Sequence, residues 1–388
     1  MKTKDTARLL KMYNPFDMTI TRAGGIYIYS DDGLRYIDTF SGIGVSAFGH
    51  SYKPLIDRLT AKMNLYMHVS NFFVDDDAVF TADRLVGHTS CDGRVFFTNS
   101  GTEATEAVLK AVKKASIKNK RKIIFFKDGF HGRTLGALSL NGFKKMREPF
   151  EPLLMDTYEL EYNNIMEFEY FMKHNGPETV AVFVEPVQGS GGVVPMLRDF
   201  ADCITQYRQK HGFFLVSDET QAGLGRTGEI YSYQNYNLHP DMITCAKALG
   251  GGLPLGAAIF LGDTADILKT GDHGSTFAPN PVALAGARFI LEALPDMLSE
   301  IKEKGRYFIE KIKSIGSSKI VSVRGSGLMI GVALDREYHN IRDAAFKNER
   351  LLLNVLSNKT IRLLPPLNIE YSQIDEIVEK LKCVIAVI

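Results

Sequence analysis

The sequence contains little that would direct the protein to nucleic acid, to a membrane or to an oxidising compartment. Its 46 lysine and arginine residues almost balance 45 aspartate and glutamate residues, and the formal net charge of +1 provides no field that would attract nucleic acid or anionic lipid. Apolar runs are too short for a signal peptide or a membrane span. The four cysteines lack the paired spacing of metal sites. We therefore expect a cytoplasmic protein with no metal site and no nucleic-acid or membrane partner.

Internal repeats and low-complexity tails are also missing, so the 388 residues have to form ordinary globular domains. With 45% hydrophobic residues the chain can bury a large core, and its length favours two domains. Near the N-terminus, residues 1–23 suggest a helix followed by a loop. Residues 25–38 form two short strand-like runs on either side of an Asp-Asp-Gly turn, which predicts a hairpin.

Three apolar runs each end in an ionisable residue. They cover residues 180–184, 213–217 and 242–246, and the polar residues that follow are Glu185, Asp218 and Lys247. Intervals of about 30 residues fit repeated strand-helix-strand units, and residues 198–211 have the pattern of one intervening helix. Right-handed connections place the ends of such strands on one edge of a mostly parallel sheet, where ligands bind in open α/β folds. The sequence therefore predicts an α/β fold with a site at these strand ends.

Lys247 has the surroundings that Schiff-base chemistry needs. A short apolar strand precedes it and the glycine-rich residues 250–256 follow it, so that the amine loses solvation and its pKa falls. A surface lysine in a glycine-rich loop is the simpler alternative. Asp218 argues against that alternative, because a carboxylate at one strand end and a lysine at the next suggest a shared crevice.

A second candidate site lies where strand 94–98 meets a helix that extends to about residue 115. Ser100 and Glu103 have capping-box spacing, so the helix is expected to begin there, and Gly101 and Thr102 then offer free backbone amides. The N-terminus of a helix that follows a strand suits a phosphate group. An ordinary capped helix that binds nothing is the alternative.

Seven stretches of this sequence resemble the class III pyridoxal-phosphate-dependent aminotransferases, in the subgroup that acts on ornithine, acetylornithine and 4-aminobutyrate. They occur in the family's order and extend over nearly the whole chain: NSGTEATEA (99–107), FHGRT (130–134), EPVQG (185–189), DETQAGLGRTG (218–228), KALGGGLPLGA (247–257), HGSTF (273–277) and IRLLPPL (361–367). One such motif is a weak signal, but seven in order are specific. Within the subgroup the chain is most similar to the acetylornithine aminotransferases.

The resemblance implies a fold-type-I architecture. A large domain with a mostly parallel seven-stranded sheet, flanked by helices, is joined by a smaller α+β domain. We expect residues 1–45 to form an N-terminal segment that packs with the small domain and residues 46–280 to form the large cofactor-binding domain. Residues 281–388 would form an interdomain helix and the C-terminal small domain. The family also implies a homodimer with shared active sites.

The resemblance further implies pyridoxal 5'-phosphate as cofactor. Lys247 would bond it covalently, and Asp218 would keep its ring nitrogen protonated, so that the ring can accept electrons from a broken C–H bond. The remaining cofactor contacts implied by the motifs are a phosphate cradle at Ser100, Gly101 and Thr102, ring stacking by Phe130, a hydrogen bond from Gln221 near the phenolic oxygen, and a phosphate contact from Thr276 of the neighbouring subunit.

The same motifs imply substrate-binding roles for Arg133, Glu185, Ser275 and Arg362. Arg362 would meet the α-carboxylate of glutamate and Arg133 the distal one, with glutamate and 2-oxoglutarate as the recycling pair. The expected reaction moves the distal amino group of N-acetylornithine, or of a similar acylated diamino acid, to 2-oxoglutarate. It would yield the semialdehyde and glutamate, as part of arginine biosynthesis.

Other functions remain open from the sequence. Aminotransfer from ornithine, lysine or 4-aminobutyrate, an aminomutase and a racemase share the implied fold. A nucleotide-binding oxidoreductase is suggested by the glycine-rich residues 223–228 and 250–256, although neither loop matches a dinucleotide fingerprint. A binding protein that kept the fold without the activity is a third class, and retention of Lys247 with Asp218 argues against it.

Three positions depart from the family pattern. Relatives commonly carry valine at Thr220, Gly-Gly at residues 278–279 and a glutamate at Ser190. In relatives of the ornithine and 4-aminobutyrate type that glutamate covers the carboxylate-binding arginine. A serine is too short and lacks the charge to do so, and we expect Arg362 to stay open in this chain.

Overall fold

The computed structural model describes residues 8–117 and 119–388 and shows strands alternating with helices along most of that length. The strands in these residues are β1 (Ile20–Gly24), β2 (Tyr27–Ser30), β3 (Arg35–Asp38), β4 (Gly93–Thr98), β5 (Lys122–Phe126), β6 (Thr157–Leu160), β7 (Thr179–Val184), β8 (Val187–Gln188), β9 (Val194–Pro195), β10 (Phe214–Asp218), β11 (Met242–Cys245), β12 (Gly256–Leu261), β13 (Ile320–Ser326), β14 (Met329–Leu334), β15 (Leu351–Leu352), β16 (Asn354–Leu356) and β17 (Thr360–Leu363).

The α-helices in the described residues are α1 (Ser41–Gly44), α2 (Lys53–Leu65), α3 (Asp76–Gly87), α4 (Gly101–Ala115), α5 (Leu135–Leu138), α6 (Lys144–Arg147), α7 (Ile165–Asn175), α8 (Arg198–His211), α9 (Pro281–Lys313), α10 (Ile341–Ala344) and α11 (Tyr371–Val387). Short 3-10 turns cover Glu148–Phe150, Gly176–Glu178, Ser232–Tyr236, Lys247–Gly250 and Gly262–Asp266, and a π-turn covers Ala345–Glu349. None of these helices combines the length and the apolarity that crossing a membrane requires.

A seven-stranded sheet with the order β4-β12-β11-β10-β7-β5-β6 forms the centre of the fold. Strand β12 is antiparallel to both of its neighbours, and the other six strands share one direction. The prediction of a mostly parallel seven-stranded sheet is confirmed. Successive residues of a strand face opposite sides, so Ile123 and Phe125 pack in the cluster that contains α4, while Ile124 and Phe126 pack in the cluster that contains α8. Both faces of the sheet are therefore covered by helices.

The parallel strands bring the functional candidates to one edge of the sheet. Strands β4, β5, β7, β10 and β11 end at residues 98, 126, 184, 218 and 245. The loops that follow carry the phosphate-site, aromatic, carboxylate and lysine candidates of the sequence motifs. This is the edge where ligands bind in open α/β sheets.

Three further sheets in the described residues lie outside the central one, and the smallest contains only β8 and β9. The C-terminal sheet has the order β13-β14-β17-β16, and the N-terminal sheet has the order β1-β2-β3-β15. In the N-terminal sheet, Ile37 of the hairpin pairs in parallel with Leu351, so this sheet combines strands from the beginning and from the last tenth of the chain. The long helix α9 contacts α2, α3 and α11. The division of the chain at residues 45 and 280 stays a prediction.

The N-terminal region differs from the expected helix and loop. Residues 1–7 lie outside the described residues, and residues 8–19 contain no helix. Strand β1 follows and pairs with β2, with Gly24 opposite Tyr27. The hairpin β2-β3 is where the sequence placed it. Strand β1 was not predicted, because it has no apolar pattern of its own. Its backbone pairing with β2 makes this stretch extended.

Candidate active site

Two neighbouring cavities open at the strand ends, and Lys247, Phe130 and Arg133 line both of them. The first has a volume of about 410 Å³ and includes Asp218 in its lining, and it is called the Asp218 cavity here. The second has a volume of about 790 Å³ and includes Arg362, and it is called the Arg362 cavity. Lys247 therefore lies between a cavity at the edge of the central sheet and one that reaches β16 and β17 of the C-terminal sheet.

Lys247 begins the short 3-10 turn that follows β11 and has a backbone φ of 48°. This left-handed conformation is uncommon outside glycine and often marks a functional position. Burial of the amine lowers the pKa of Lys247 to about 8, against the opposing charge of Asp218 and with a contribution from the charge of Arg362. About one tenth of the amine is therefore neutral at pH 7, compared with less than about one thousandth for an ordinary lysine.

Asp218 ends β10 with only 4% of its surface exposed. Its Oδ1 accepts hydrogen bonds from Thr220 N at 3.0 Å and from Thr244 Oγ1 at 2.9 Å. Its Oδ2 lies 2.7 Å from His131 Nδ1. Burial alone would raise the pKa of Asp218, but the hydrogen bond and the charge of His131 outweigh it and hold that pKa below its usual value. The carboxylate is thus kept ionised in a buried setting.

His131 is one of two functional residues that the sequence did not predict. It is 4% exposed, and although burial opposes its protonation, the contact with Asp218 raises its pKa. His131 belongs to the FHGRT motif, but the sequence does not indicate its role, because its partner Asp218 is 87 residues away in the chain. Only the fold reveals this pairing.

The N-terminus of α4 is built as the sequence predicted. Ser100 Oγ accepts a hydrogen bond from Glu103 N at 3.3 Å, and Glu103 Oε2 in turn accepts one from Asn99 N at 2.7 Å. A Cβ atom on Gly101 would lie 2.7 Å from Thr220 Cγ2, so glycine permits the close approach of the helix to the loop that follows β10. Ser100, Gly101 and Thr102 all line the Asp218 cavity. The first amides of the helix are available to an anion there.

The loop after β5 places an aromatic ring and a guanidinium beside Lys247. The guanidinium carbon of Arg133 lies 5.6 Å from the centre of the Phe130 ring. Gly132 between them has a φ of 141°, and a Cβ there would lie 2.2 Å from Thr102 Oγ1. Arg133 is exposed and forms no ion pair with a carboxylate in the described part of the chain. Its charge is directed to a cavity rather than to a surface salt bridge.

Glu185 follows β7 and is 6% exposed. Its carboxylate accepts hydrogen bonds from Phe130 N at 2.8 Å and from Gly189 N at 3.1 Å. Burial raises the pKa of Glu185, the charge of His131 opposes the shift, and the charge of Asp218 adds to it. The side chain ties together two loops of the site and lines a small cleft next to Lys247.

Arg362 enters the site from β17 of the C-terminal sheet, which has the order β13-β14-β17-β16. It is 4% exposed, and its Nε donates to Asn354 Oδ1 at 2.9 Å and its Nη1 to Gln221 Oε1 at 3.4 Å. Burial lowers the pKa of Arg362 to about 10, and the charge of Glu185 opposes the shift. No carboxylate of the described residues lies within ion-pair distance of it. Asn354 was missed, because nothing in its local sequence connects it to an arginine.

Ser190, Ser275 and Thr276 differ in where they lie. Ser190 lines the Arg362 cavity together with Gln221. Ser275 and Thr276 line neither of the two cavities in this chain. The Oγ of Ser275 instead accepts a hydrogen bond from Asn99 Nδ2 at 3.2 Å, and Thr276 is exposed. The structure thus brings all predicted site residues together except these last two.

Comparison with known proteins identifies the family. The family model "Aminotransferase class-III" matches residues 10–385. The chain belongs to the class III aminotransferases. This membership decides against the oxidoreductase alternative, and the predicted family and fold are confirmed.

Individual relatives of this aminotransferase resemble it over almost their full length. An acetylornithine aminotransferase of Aquifex aeolicus is 38% identical over 379 residues, which cover 96% of this chain and 98% of the relative. A [LysW]-aminoadipate semialdehyde/glutamate semialdehyde transaminase of Sulfurisphaera tokodaii is also 38% identical, covering 95% of both chains. A solved ornithine aminotransferase of Toxoplasma gondii, described with partial occupancy of PLP at its active site, superposes with a TM-score of 0.91 at 25% identity, covering 97% of this chain and 91% of that one.

Class III aminotransferases depend on pyridoxal 5'-phosphate, and the Asp218 cavity fits this cofactor. The cavity combines a lysine with a lowered pKa, an ionised buried carboxylate and the N-terminus of a 15-residue helix. These three groups match an aldehyde, a basic ring nitrogen and a phosphate, respectively. A buried acid beside a histidine at a cavity wall is weak evidence for a role in stability, and a protonated ring nitrogen would give this acid a charged partner.

Proposed function

We propose that this aminotransferase moves the distal amino group of N-acetylornithine, or of a similar acylated diamino acid, to 2-oxoglutarate. The products would be the semialdehyde and glutamate, as part of arginine biosynthesis. The observation that carries the proposal is a pair of guanidinium groups, Arg133 and Arg362, on the same cavity as Lys247. The acetylornithine aminotransferase relative supports the choice of donor.

Both members of the recycling pair, glutamate and 2-oxoglutarate, are dicarboxylates. Arg362 is buried without a carboxylate partner among the described residues, and an unpaired buried cation is costly. A substrate carboxylate would satisfy it through two parallel hydrogen bonds, and Arg133 offers a second fork for the other carboxylate. An acylated donor that reacts at its distal amine brings its own carboxylate to Arg133.

We also propose the roles of the residues around the cofactor. When bound, pyridoxal phosphate supplies an aldehyde that condenses with amines and a ring that accepts the electrons of a broken C–H bond. The amides at Gly101 and Thr102, with the Ser100 hydroxyl, would hold its phosphate, and the Phe130 ring would lie against its ring. Lys247 would carry it covalently.

Proton transfer falls to Lys247 and Asp218. With a pKa of about 8, the Nζ of Lys247 can both accept and return a proton near neutral pH. Asp218 stays ionised and offers an oxygen to a protonated nitrogen, while His131 behind it holds the carboxylate in place. The chain thus supplies a mobile proton on one side of the cavity and a fixed negative charge on the other.

We propose a closed two-fold homodimer in the cytoplasm, with Thr276 completing the phosphate site of the partner subunit. Thr276 is exposed and lines neither cavity of its own chain. Nearby, Phe72, Phe73 and Val74 are 93%, 69% and 85% exposed, and Asn71 beside them donates a hydrogen bond to the carbonyl of Ser275. An exposed apolar stretch of this kind favours burial against a second copy.

A panel of amino donors with 2-oxoglutarate as acceptor tests the proposed substrate. Initial rates of glutamate formation are measured over a range of concentrations of N-acetylornithine, ornithine, lysine and 4-aminobutyrate. We expect the highest kcat/KM for N-acetylornithine. A higher value for any unacylated donor would contradict the proposal.

A second candidate has support from the Sulfurisphaera relative, whose name specifies a [LysW]-aminoadipate semialdehyde and a glutamate semialdehyde. Transfer of the distal amine from a six-carbon diamino acid leaves an aminoadipate semialdehyde. An N-acylated lysine carries the same charges as N-acetylornithine, so the Arg362 cavity does not distinguish these two donors by charge. The same panel of donors, extended by an N-acylated lysine, distinguishes the two candidate functions. Preference for the lysine derivative over N-acetylornithine would favour this second candidate.

A further inference from the structure

The Arg362 cavity has an apolar side that the recycling pair cannot use. Glutamate and 2-oxoglutarate consist of two carboxylates separated by short methylene chains, and two guanidiniums satisfy them. Besides Phe130 and Ile43, six further apolar or aromatic side chains nevertheless line the cavity. They are Met12, Tyr13, Phe143, Met146, Val355 and Leu356. This surface is available for a part of the donor that glutamate lacks.

Two of these side chains come from the N-terminal segment. Tyr13 is 88% and Met12 is 71% exposed, although both line the cavity. The segment is held from behind by Phe16, whose ring lies 5.3 Å from the ring of Phe346 and 3.9 Å from the guanidinium carbon of Arg342. An exposed apolar pair at the wall of a binding cavity gains free energy when a ligand covers it.

We propose that Tyr13 and Met12 form the contact surface for the acyl group of the amino donor and so select acylated over free diamino acids. This inference rests on the proposed function. An acyl group is uncharged and can lie against the phenol ring and the thioether. In free ornithine the corresponding ammonium would face the same apolar side chains and the positive charge of Arg133, which disfavours its binding.

The chain offers a matched control for this assignment. Leu10 belongs to the same segment and is 88% exposed, as Tyr13 is, but it does not line the cavity. Leu10→Ala therefore reports any general effect of removing an exposed apolar side chain from this segment. Tyr13→Phe keeps the ring and removes only the hydroxyl.

The test measures steady-state constants of the holoenzyme for N-acetylornithine, ornithine and glutamate. Tyr13→Ala should raise KM for N-acetylornithine about threefold to tenfold through lost apolar contact, with KM for glutamate changed less than about twofold. The preference for N-acetylornithine over ornithine should fall by a similar factor. Tyr13→Phe and Leu10→Ala should resemble the wild type.

Several outcomes would overturn the assignment. Equal changes in KM for glutamate and for N-acetylornithine would show that Tyr13 does not distinguish donors, and a Leu10→Ala variant that behaves like Tyr13→Ala would assign the effect to the segment as a whole. Sedimentation velocity is run in parallel, and conversion of Tyr13→Ala to a monomer would assign the side chain to subunit packing. If the wild type itself does not use N-acetylornithine, the proposed function fails together with this inference, whereas the other outcomes leave that function intact.

Discussion

The lowered pKa of Lys247 predicts how fast the cofactor-free enzyme regains its cofactor at different pH values. Only the neutral amine attacks an aldehyde. With a pKa of about 8, about one tenth of Lys247 is neutral at pH 7 and about nine tenths at pH 9. The rate of cofactor incorporation should therefore rise about tenfold over this interval and level off above pH 9.

An unperturbed lysine would behave differently. With the ordinary pKa of 10.5, the neutral fraction would rise about a hundredfold from pH 7 to pH 9. At pH 9 it would still be increasing about tenfold for each further pH unit. The assay mixes cofactor-free enzyme with excess pyridoxal phosphate in a stopped-flow instrument and follows the absorbance of the bound cofactor. A hundredfold rise without a plateau would refute the desolvation of Lys247.

The charge of Arg362 provides an internal control for the same experiment. Arg362 contributes to the lowering of the Lys247 pKa, so Arg362→Met should move the midpoint of the profile to higher pH. Arg362→Lys keeps a positive charge and should leave the midpoint nearly in place. Equal midpoints in the two variants would show that this charge does not act on Lys247.

Three further predictions concern individual site residues. Asp218→Asn should lower kcat about 10²-fold to 10³-fold with cofactor affinity nearly unchanged, measured by fluorescence titration and turnover, and undiminished turnover would remove Asp218 from the mechanism. Mixed dimers of Lys247→Ala and Thr276→Ala subunits should regain activity, because one of their two sites is intact, while inactive verified heterodimers would show that each chain is self-contained. Ser190→Glu should lower the rate constant for glutamate relative to N-acetylornithine by about tenfold through masking of Arg362, and a ratio within about twofold of the wild type would contradict this.

Local sequence predicted the elements that depend on apolar runs and on capping. The strand ends at residues 184 and 218 were visible because each strand contains an apolar run, and Glu185 directly follows β7 while Asp218 is the last residue of β10. The start of α4 was visible because Ser100 and Glu103 have the spacing of a cap. Each of these patterns lies within a few consecutive residues. The resemblance to the family then indicated the roles of the site residues.

Contacts that depend on how strands are assembled were not visible. The contact of His131 with Asp218 joins residues that are 87 positions apart, and that of Arg362 with Asn354 depends on the pairing register of β16 and β17. No local pattern encodes either. The position of Tyr13 on the Arg362 cavity is another case, because it follows from the way residue 16 packs against the C-terminal half. Such contacts are set by tertiary packing rather than by propensity.

The most direct test of the whole account is reduction of the pyridoxal-phosphate-loaded enzyme with borohydride, followed by peptide mass spectrometry. We expect the purified protein to be yellow and the reduced cofactor to be found on Lys247 alone. Lys247→Ala should retain noncovalent cofactor binding but yield no labelled peptide. Recovery of the label on a different lysine, or an equal label in Lys247→Ala, would contradict the assignment of Lys247 as the residue that carries the cofactor.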